Sequence, residues 1–367
     1  MASACRTAGT TGNAESPEEA MATATGQAPR LRVLCEFRVV CAVAAAFALL
    51  SAAAHAYTPR RSTRAQEPSR SEVTTALGAA ERLRLLALLR PRGPASSSAE
   101  RPEFSRIREE QLTSLTRLDL SGLLTIDNDL TLLAYTPALT ELKIHANRYI
   151  TDAGLAHIRL CPKLKRVTLS FCPKLTDKGC EALADLASLE HLDLSSNPQL
   201  TDKALYAMRG RTRTLLSVDL SRTGIRGPCL GYIDKSTAMT SIKLNECPML
   251  TDAGLRKLDK LDALKVVQMQ DCARVTDIGV RNLSYMAGVE HIDVSWCPNV
   301  TGIAWATLKK CESLKRLAIN GTPMDDRMVP GLLKLESLEV LEMVGTKVGA
   351  EVAEALGKKL SGCRIIY

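Results

Sequence analysis

The feature that most restricts the fold of this chain is a sequence repeat. From Leu115 onward the sequence divides into ten lines of 24 to 26 residues, each with apolar residues at its first, fourth and sixth positions. The openings run from "LTRLDL" at 115 to "LEVLEM" at 338, and "CRIIY" at 363 begins a shortened eleventh line. A regular period of this length predicts a solenoid, in which each unit buries its apolar face by stacking on its neighbours.

Each line contains a strand pattern followed by a helix pattern. Apolar and polar residues alternate in the opening, whereas the later half, as in "TDAGLRKLDKL", has apolar residues at helical spacing. Aspartates recur where the helices are predicted to begin, and we interpret them as helix-entry residues, because a short oxygen side chain accepts hydrogen bonds from the first free amides. They are Asp152, Asp177, Asp202, Asp252 and Asp277.

From the second line onward, the ninth position holds a small residue that can form hydrogen bonds. We expect these side chains to satisfy backbone groups where the chain leaves the strand. Cys172 is therefore predicted to be structural, and Cys180, which shares a column with Leu155 and Leu205, to be a core residue. The ninth-position residues are Asn147, Cys172, Asn197, Thr223, Cys247, Cys272, Cys297, Thr322 and Thr346.

These patterns resemble the cysteine-containing class of leucine-rich repeats. The resemblance rests on the L-x-x-L-x-L openings, the Cys-Pro pairs at 172, 247 and 297, and the recurring Thr-Asp turns, and it covers residues 113–367. Such repeats occur in F-box proteins and in related proteins without an F-box. The resemblance implies an α/β horseshoe, with parallel strands on the concave face, helices on the convex face and a surface that binds other proteins.

Two lines depart from the pattern. The fifth line, "LLSVDLSRTGIRGPCLGYIDKSTA", lacks the Thr-Asp turn and contains Gly224, Gly227, Pro228 and Gly231, so we expect a short or distorted helix there. The eleventh line ends as a strand without a following helix. A free strand edge favours pairing with another chain, so we expect a partner to protect it.

The cysteine spacing argues against a metal site. Cysteines about 25 residues apart in one column point the same way, whereas zinc requires ligands that converge tetrahedrally. Neighbours such as Cys247 and Cys272 would lie about 4.8 Å apart, which permits a disulfide, although parallel side chains are poorly oriented for one. Many unpaired core thiols favour a reducing compartment. Glycosylation sequons at Asn282, Asn299 and Asn320 argue instead for the secretory pathway.

Two histidine–aspartate pairs are the only catalytic candidates that the pattern suggests. His191 with Asp193 and His291 with Asp293 occupy third and fifth positions, side by side on the predicted concave face. Neither a nucleophile elbow nor a phosphate-binding glycine loop accompanies them. We therefore interpret them as solvated polar pairs and predict a protein without enzymatic activity or a cofactor.

The concave face is the predicted site for a protein partner. Its charges have mixed signs, and the formal charge of +8 is divided evenly, +4 on each side of residue 112, which argues against nucleic acid. Trp296 lies in a mostly polar column and is a candidate anchor, whereas Trp305 replaces a core leucine. The predicted partner-binding residues are Arg117, Asp119, Glu141, Lys143, His145, Arg166, His191, Asp193, Asp219, Lys243, Gln268, Gln270, His291, Asp293, Trp296 and Arg316.

The composition changes at about residue 112. Residues 1–70 are rich in Ala, Arg and Ser, which predicts a disordered or targeting region. Residues 71–112 are predicted to form a helical linker and a cap, with Phe104, Ile107 and Leu112 on one face. The remainder, 113–367, is the repeat domain, as a monomer or as a subunit of a larger complex.

An apolar segment, residues 39–54, carries no charge and runs into Ala54-His55-Ala56, as in a signal peptide. Between Met21 and Gln66 there are six arginines and one acid, which suits a mitochondrial presequence, and the unpaired cysteines favour this over secretion. Retention as a membrane anchor, or burial as an Ala-rich helix in a cytosolic protein, are the alternatives.

These observations favour a non-enzymatic scaffold that binds protein partners. The alternative is a substrate receptor of an SCF-type ubiquitin ligase, because this repeat class accompanies F-boxes. An F-box requires a helical module beside the repeats, and residues 71–112 have no clear Leu-Pro opening for one. Recovery of a ubiquitin-ligase adaptor in a pull-down would distinguish the two.

We predict that the N-terminal segment targets the chain to an organelle or a membrane, and a mature start close to Tyr57 would show that the apolar segment is cleaved. The measurement is N-terminal sequencing of the full chain, recovered through a C-terminal tag from fractionated cells. An intact chain in a carbonate-resistant membrane fraction would instead make residues 39–54 an anchor, and an intact soluble chain would contradict targeting.

Overall fold

The repeat folds as a single sheet of parallel strands. A computed structural model describes residues 109–367, with side chains from Leu112 onward, so the predictions for residues 1–70, for the segment 39–54 and for most of 71–112 lie outside it. Each strand pairs with the next in sequence. The strands are β1 (Arg117–Asp119), β2 (Glu141–His145), β3 (Arg166–Ser170), β4 (His191–Asp193), β5 (Ser217–Asp219), β6 (Ser241–Lys243), β7 (Val266–Gln268), β8 (His291–Asp293), β9 (Arg316–Ala318), β10 (Val340–Glu342) and β11 (Arg364–Ile366).

The first ten strands begin at the third position of each sequence line, which confirms the predicted solenoid. The eleventh was placed one residue too late: Val340 pairs with Arg364 and Leu341 with Ile365, so the line opens at Gly362 rather than at Cys363. β11 forms the last edge of the sheet.

The helical side of the solenoid is mostly 3₁₀-helix. An α-helix with its side chains is about 10 Å wide, whereas neighbouring strands are about 4.8 Å apart. Short, narrow 3₁₀ segments reduce the difference between the repeat spacing on the helical side and that on the strand side. The α-helices are α1 (Asp152–Leu155), α2 (Asp252–Leu255), α3 (Asp277–Leu283), α4 (Val329–Leu332) and α5 (Ala350–Lys359). The 3₁₀ segments are Glu109–Ser114, Asp127–Tyr135, Ala156–Leu160, Gly179–Asp185, Asp202–Met208, Pro228–Ile233, Arg256–Lys260, Trp305–Lys310 and Asp326–Met328.

The core lies between the strands and the helical segments. Leucine, isoleucine and valine side chains at the repeating apolar positions are buried in one continuous cluster. Cys180 and Trp305 are fully buried there, and the Trp305 indole N–H donates to the Met324 sulfur at 3.2 Å. Both residues are packing residues, as predicted.

The ninth-position side chains satisfy backbone groups, as predicted: asparagine and cysteine reach the preceding repeat, whereas Thr223 and Thr322 donate to carbonyls of their own line at 2.6 and 2.8 Å. Asn197 is the most complete case: its amide nitrogen donates to the carbonyls of Leu169 and Leu194 at 2.6 and 2.8 Å, and its oxygen accepts from the Cys172 amide at 2.7 Å. The thiol of Cys272 donates to the Leu244 carbonyl of the preceding line at 3.1 Å. We therefore call this column the inter-repeat ladder. Its members are buried, apart from Thr346, which is half-buried.

The recurring aspartates stand at helix entry but act on the following repeat. Thr151 caps its own helix by accepting from the Ala153 amide at 3.3 Å. The carboxylate of Asp152 instead accepts from the amide and hydroxyl of Thr176, one line later, at 2.8 and 2.6 Å. The predicted capping by aspartate is therefore corrected: threonine caps locally, and aspartate joins neighbouring turns.

The fifth line interrupts this aspartate series. It has no aspartate to offer to Thr251, which bonds instead to the Arg226 carbonyl at 3.0 Å. The helical segment is reduced to Pro228–Ile233, as expected, and Gly227 has a left-handed φ of 112°. A Cβ on Gly254 would lie 2.4 Å from the Gly227 Cα, so the two backbones touch.

We predict that Gly254→Ala destabilises the repeat domain by about 1–3 kcal/mol, because the added methyl group overpacks against backbone that has little room to move. Gly362→Ala is the control, since its Cβ would meet no heavy atom within 4 Å. The measurement is urea unfolding of both full-length variants followed by circular dichroism. Equal midpoints for the two variants would contradict the close contact.

Candidate functional site

The predicted binding residues of the strands share one face of the sheet. Third-position side chains align across neighbouring strands, as in the register Arg166, His191, Ser217 and Ser241. Fifth-position residues align in a second row. The structure thus brings the predicted third- and fifth-position residues together on the concave face, in two rows running along the solenoid, and His145 lies beyond them at the end of β2.

A shallow hollow occupies this face over β2 to β6. Two short side chains, Ser217 and Ser241, occupy third positions between longer ones, which leaves the space. The hollow was not predicted, although its serines lie in the same columns as the predicted residues and their small size is the signal. Its polar lining consists of Glu141, Arg166, Thr168, His191, Asp193, Ser217, Asp219, Ser241 and Lys243.

Ion pairs join several predicted residues across neighbouring strands. Arg117 lies 3.3 Å from Glu141, and the Lys243 ammonium lies 3.8 Å from the Asp219 carboxylate. Exposed pairs of this kind contribute about 0–1 kcal/mol, so they orient side chains more than they stabilise the fold. In the described part of the chain, Arg166 belongs to no ion pair, and its charge is available to a ligand.

The fifth-position aspartates are partly committed to the backbone. Asp193 accepts from the Ser195 amide at 2.9 Å and Asp219 from the Ser221 amide at 3.0 Å, through one carboxylate oxygen each. Asp293 is only 5% exposed, and it accepts from the Ser295 amide and from the Gln270 side chain. Asp293 therefore positions neighbouring groups rather than presenting its charge.

His191 and His145 pair with serine hydroxyls rather than with aspartates. His191 Nδ1 lies 2.7 Å from the Ser217 hydroxyl, and His145 Nδ1 lies 2.7 Å from the Ser170 hydroxyl. Burial, aided by the Arg166 charge and opposed by Glu190, lowers the pKa of His191, so its imidazole is neutral at pH 7. The recurrence of the same contact at two places identifies it as a bridge between adjacent strands.

The eighth position of each line forms a separate column at the carboxyl edge of the sheet. Its non-glycine residues, which include Phe171, Arg222, Asp271 and Trp296, have left-handed φ values near 50° to 60°. This backbone conformation points each amide at the next line, as when the Trp296 amide donates to the Asn320 carbonyl at 2.6 Å. Trp296 thus stands on the edge beside the concave face, 59% exposed, rather than on a strand.

The described cysteines are unpaired and, except for Cys363, buried. Burial raises the pKa of Cys172 and Cys297 to about 11, so these thiols are protonated and unreactive at neutral pH. Among residues 109–367, no group of three or more His, Cys, Asp or Glu side chains is arranged to hold a metal ion.

The amide nitrogens of the three sequons are used within the protein. Asn282 donates to the Asp252 carbonyl at 2.9 Å, Asn299 to the Ala273 carbonyl at 2.7 Å, and Asn320 to the Ser295 hydroxyl at 3.3 Å. Attachment of a glycan would remove one of the two N–H groups of each of these amides.

No helix within residues 109–367 has the length and apolar character needed to cross a bilayer. The apolar segment 39–54 lies outside this range.

Comparison with known proteins identifies the fold. A family profile described as Leucine Rich repeat matches residues 160–184 and 186–208. A comparison with curated protein sequences found no match. Solved structures resemble the chain at identities that show the fold alone.

Three of these solved structures illustrate the range. An internalin (inlF) from Listeria monocytogenes is 16% identical, with 79% of this chain and 94% of that chain covered and a TM-score of 0.42. The mouse RP105/MD-1 complex is 16% identical, with 69% of this chain and 46% of that chain covered and a TM-score of 0.49. The TLR13–ssRNA13 complex is 15% identical, with 69% of this chain and 35% of that chain covered and a TM-score of 0.53. The chain spans less than half of the latter two chains.

The repeat period, the single parallel sheet, the buried cysteines of the inter-repeat ladder and the matched family profile agree with one another. The chain folds as a leucine-rich-repeat solenoid.

Proposed function

We propose that this protein is a non-enzymatic scaffold that binds a protein partner through its concave face. Leucine-rich-repeat solenoids generally mediate protein–protein interactions through such extended surfaces. The observation that carries the proposal is the hollow over β2 to β6, which Arg166, His191, Asp219 and Lys243 line on one face of a continuous sheet.

The rigidity of the surface favours binding. Each of the inner strands is hydrogen-bonded to a strand on both sides, so the side chains of the hollow are presented from a fixed backbone. A preorganised surface loses little conformational entropy when a partner binds, and more of the contact energy appears as affinity.

The charge pattern favours a protein rather than a nucleic acid. Nucleic-acid binding depends on several cations that neutralise consecutive phosphates, whereas the hollow holds the carboxylates of Glu141, Asp193 and Asp219 beside its cations. Alternating signs instead suit a folded protein or a peptide with complementary charges, which also fixes its register on the sheet.

The serine contacts of the histidines favour recognition over catalysis. A catalytic imidazole needs a nucleophile on one side and an orienting group on the other. His191 contacts the Ser217 hydroxyl, while the carboxylate of Asp193 holds the Ser195 amide and does not orient the imidazole. Polar groups arranged in this way offer hydrogen bonds to a partner.

We predict that a photo-crosslinking residue in place of Lys243, on the concave face, captures a partner in cells, whereas one in place of Lys260, in the convex segment Arg256–Lys260, does not. Both lysines are exposed, which makes them matched positions. The readout is mass spectrometry of the crosslinked full-length chain. Equal capture from the two positions would contradict concave binding.

The same assay tests the role of charge. Reversing the charge of Arg166 by Arg166→Glu in the Lys243 crosslinking chain should reduce capture about tenfold, because like charges then face each other across the interface. Arg256→Glu on the convex side is the control and should leave capture unchanged. An unaffected yield with Arg166→Glu would argue against recognition through the hollow.

A further inference from the structure

The carboxyl-edge column contains an aromatic residue in an unusual position. Trp296 has a left-handed φ of 62°, a conformation that bulky residues rarely adopt, and its indole is largely exposed. The ring therefore contributes little to the core. In the next two lines the same position is held by Gly321 and Gly345, which also have left-handed φ values.

The indole of Trp296 lies against the backbone at these glycines. A Cβ on Gly321 would fall 2.1 Å from Cε3 and 2.4 Å from Cζ3 of Trp296, and a Cβ on Gly345 would approach Cη2 at 4.0 Å. The ring thus occupies the space that a side chain at 321 would fill. One side of the indole therefore lies against backbone, which fixes its orientation, and the rest of the side chain, 59% exposed, is open to solvent.

The residue before Trp296 in this column, on the side away from Gly321, is acidic. Asp271 occupies the preceding position of the column and is exposed, with its Cα about one strand spacing, near 4.8 Å, from that of Trp296. Within residues 109–367 its carboxylate takes part in no ion pair. The next acid along the column, Glu246, is already bound to Arg222 by two hydrogen bonds of 2.6 and 2.8 Å.

An oriented aromatic face beside an unpaired carboxylate selects a cation. A cation over the face of tryptophan is attracted by the ring quadrupole, and this contributes about 0.5–1 kcal/mol at an exposed site. Arginine fits best, because its planar guanidinium stacks on the ring while its N–H groups reach a carboxylate. A nucleobase could also stack, but its phosphate would approach Asp271.

We propose that the edge from Asp271 to Gly345 is a docking point for an arginine side chain of the protein partner. The guanidinium stacks on the open face of Trp296 and pairs with Asp271, and Gly321 keeps the ring flat. The proposal extends the proposed function by naming the chemistry of the partner at the rim of the concave face.

The test uses the indole signals of the full chain, which contains two tryptophans. With tryptophan labelled by ¹⁵N, NMR resolves the exposed Trp296 from the buried Trp305, and the Trp296→Phe variant assigns the signals. The probe is the blocked peptide acetyl-Gly-Arg-Gly-amide, titrated at low salt. The control peptide carries citrulline, which has the shape of arginine without its charge.

The arginine peptide should shift the Trp296 signal saturably and leave the Trp305 signal in place, while the citrulline peptide should have little effect. Asp271→Asn should weaken binding of the arginine peptide about 2- to 5-fold, in line with the loss of one exposed ion pair. Glu181→Gln, an equal charge change at an exposed convex residue, should leave binding unchanged.

Three results would overturn the proposal: equal shifts with both peptides, unchanged affinity in Asp271→Asn, or a shift of the Trp296 signal by oligouridylate but not by the arginine peptide. The crosslinking from Lys243 is independent of this site. A failed titration with successful concave crosslinking would refute only the arginine site, whereas failed crosslinking with a successful titration would refute only concave binding.

Discussion

The structure depends on hydrogen bonds between a buried side chain of one repeat and the backbone turns around it. Where each strand ends, the chain turns toward the convex side inside the protein, and the turn leaves amides and carbonyls that water does not reach. The Asn197 side chain forms hydrogen bonds with three of these groups. They are the Leu169 carbonyl and the Cys172 amide of the preceding line and the Leu194 carbonyl of its own line. Unpaired buried groups of this kind each cost about 1–3 kcal/mol.

The geometry of the binding surfaces follows from this turn. The left-handed residue before each ladder position directs its amide to the next line, so successive turns stack in register and project the eighth-position side chains from one edge. The same register aligns third and fifth positions into rows, and short serines in the third-position row open the hollow. The concave hollow and the Trp296 edge are therefore two products of one stacking rule.

Much of this could be read from the sequence because the repeat converts a long-range problem into a local one. The strand positions, the inter-repeat ladder and the packing roles of Cys180 and Trp305 follow from apolar spacing and column membership alone. The helix type did not, because most of the helical segments have seven residues or fewer, and over so short a length apolar spacing does not separate a period of 3.0 from one of 3.6. The eleventh register failed because its line is too short to show the period.

The candidate site was only partly predictable. Column positions locate Arg166, His191 and Lys243 on the concave face, but the sequence does not show that His191 contacts Ser217, 26 residues away, or that Asp152 serves the threonine of the next repeat. These contacts depend on side-chain orientations across neighbouring turns. Trp296 was identified as unusual from its column. The packing of its ring against Gly321, however, depends on a backbone conformation that local patterns do not encode.

The most direct test of this account is the free energy of unfolding of Asn197→Ala, measured by urea unfolding of the full chain beside Ser196→Ala, a half-buried neighbour in the same turn. Loss of the Asn197 amide leaves several buried backbone groups unpaired, so we expect a destabilisation of about 3 kcal/mol or more, against less than about 0.5 kcal/mol for Ser196→Ala. A value for Asn197→Ala as small as that of its control would contradict the dependence of the solenoid on its inter-repeat ladder.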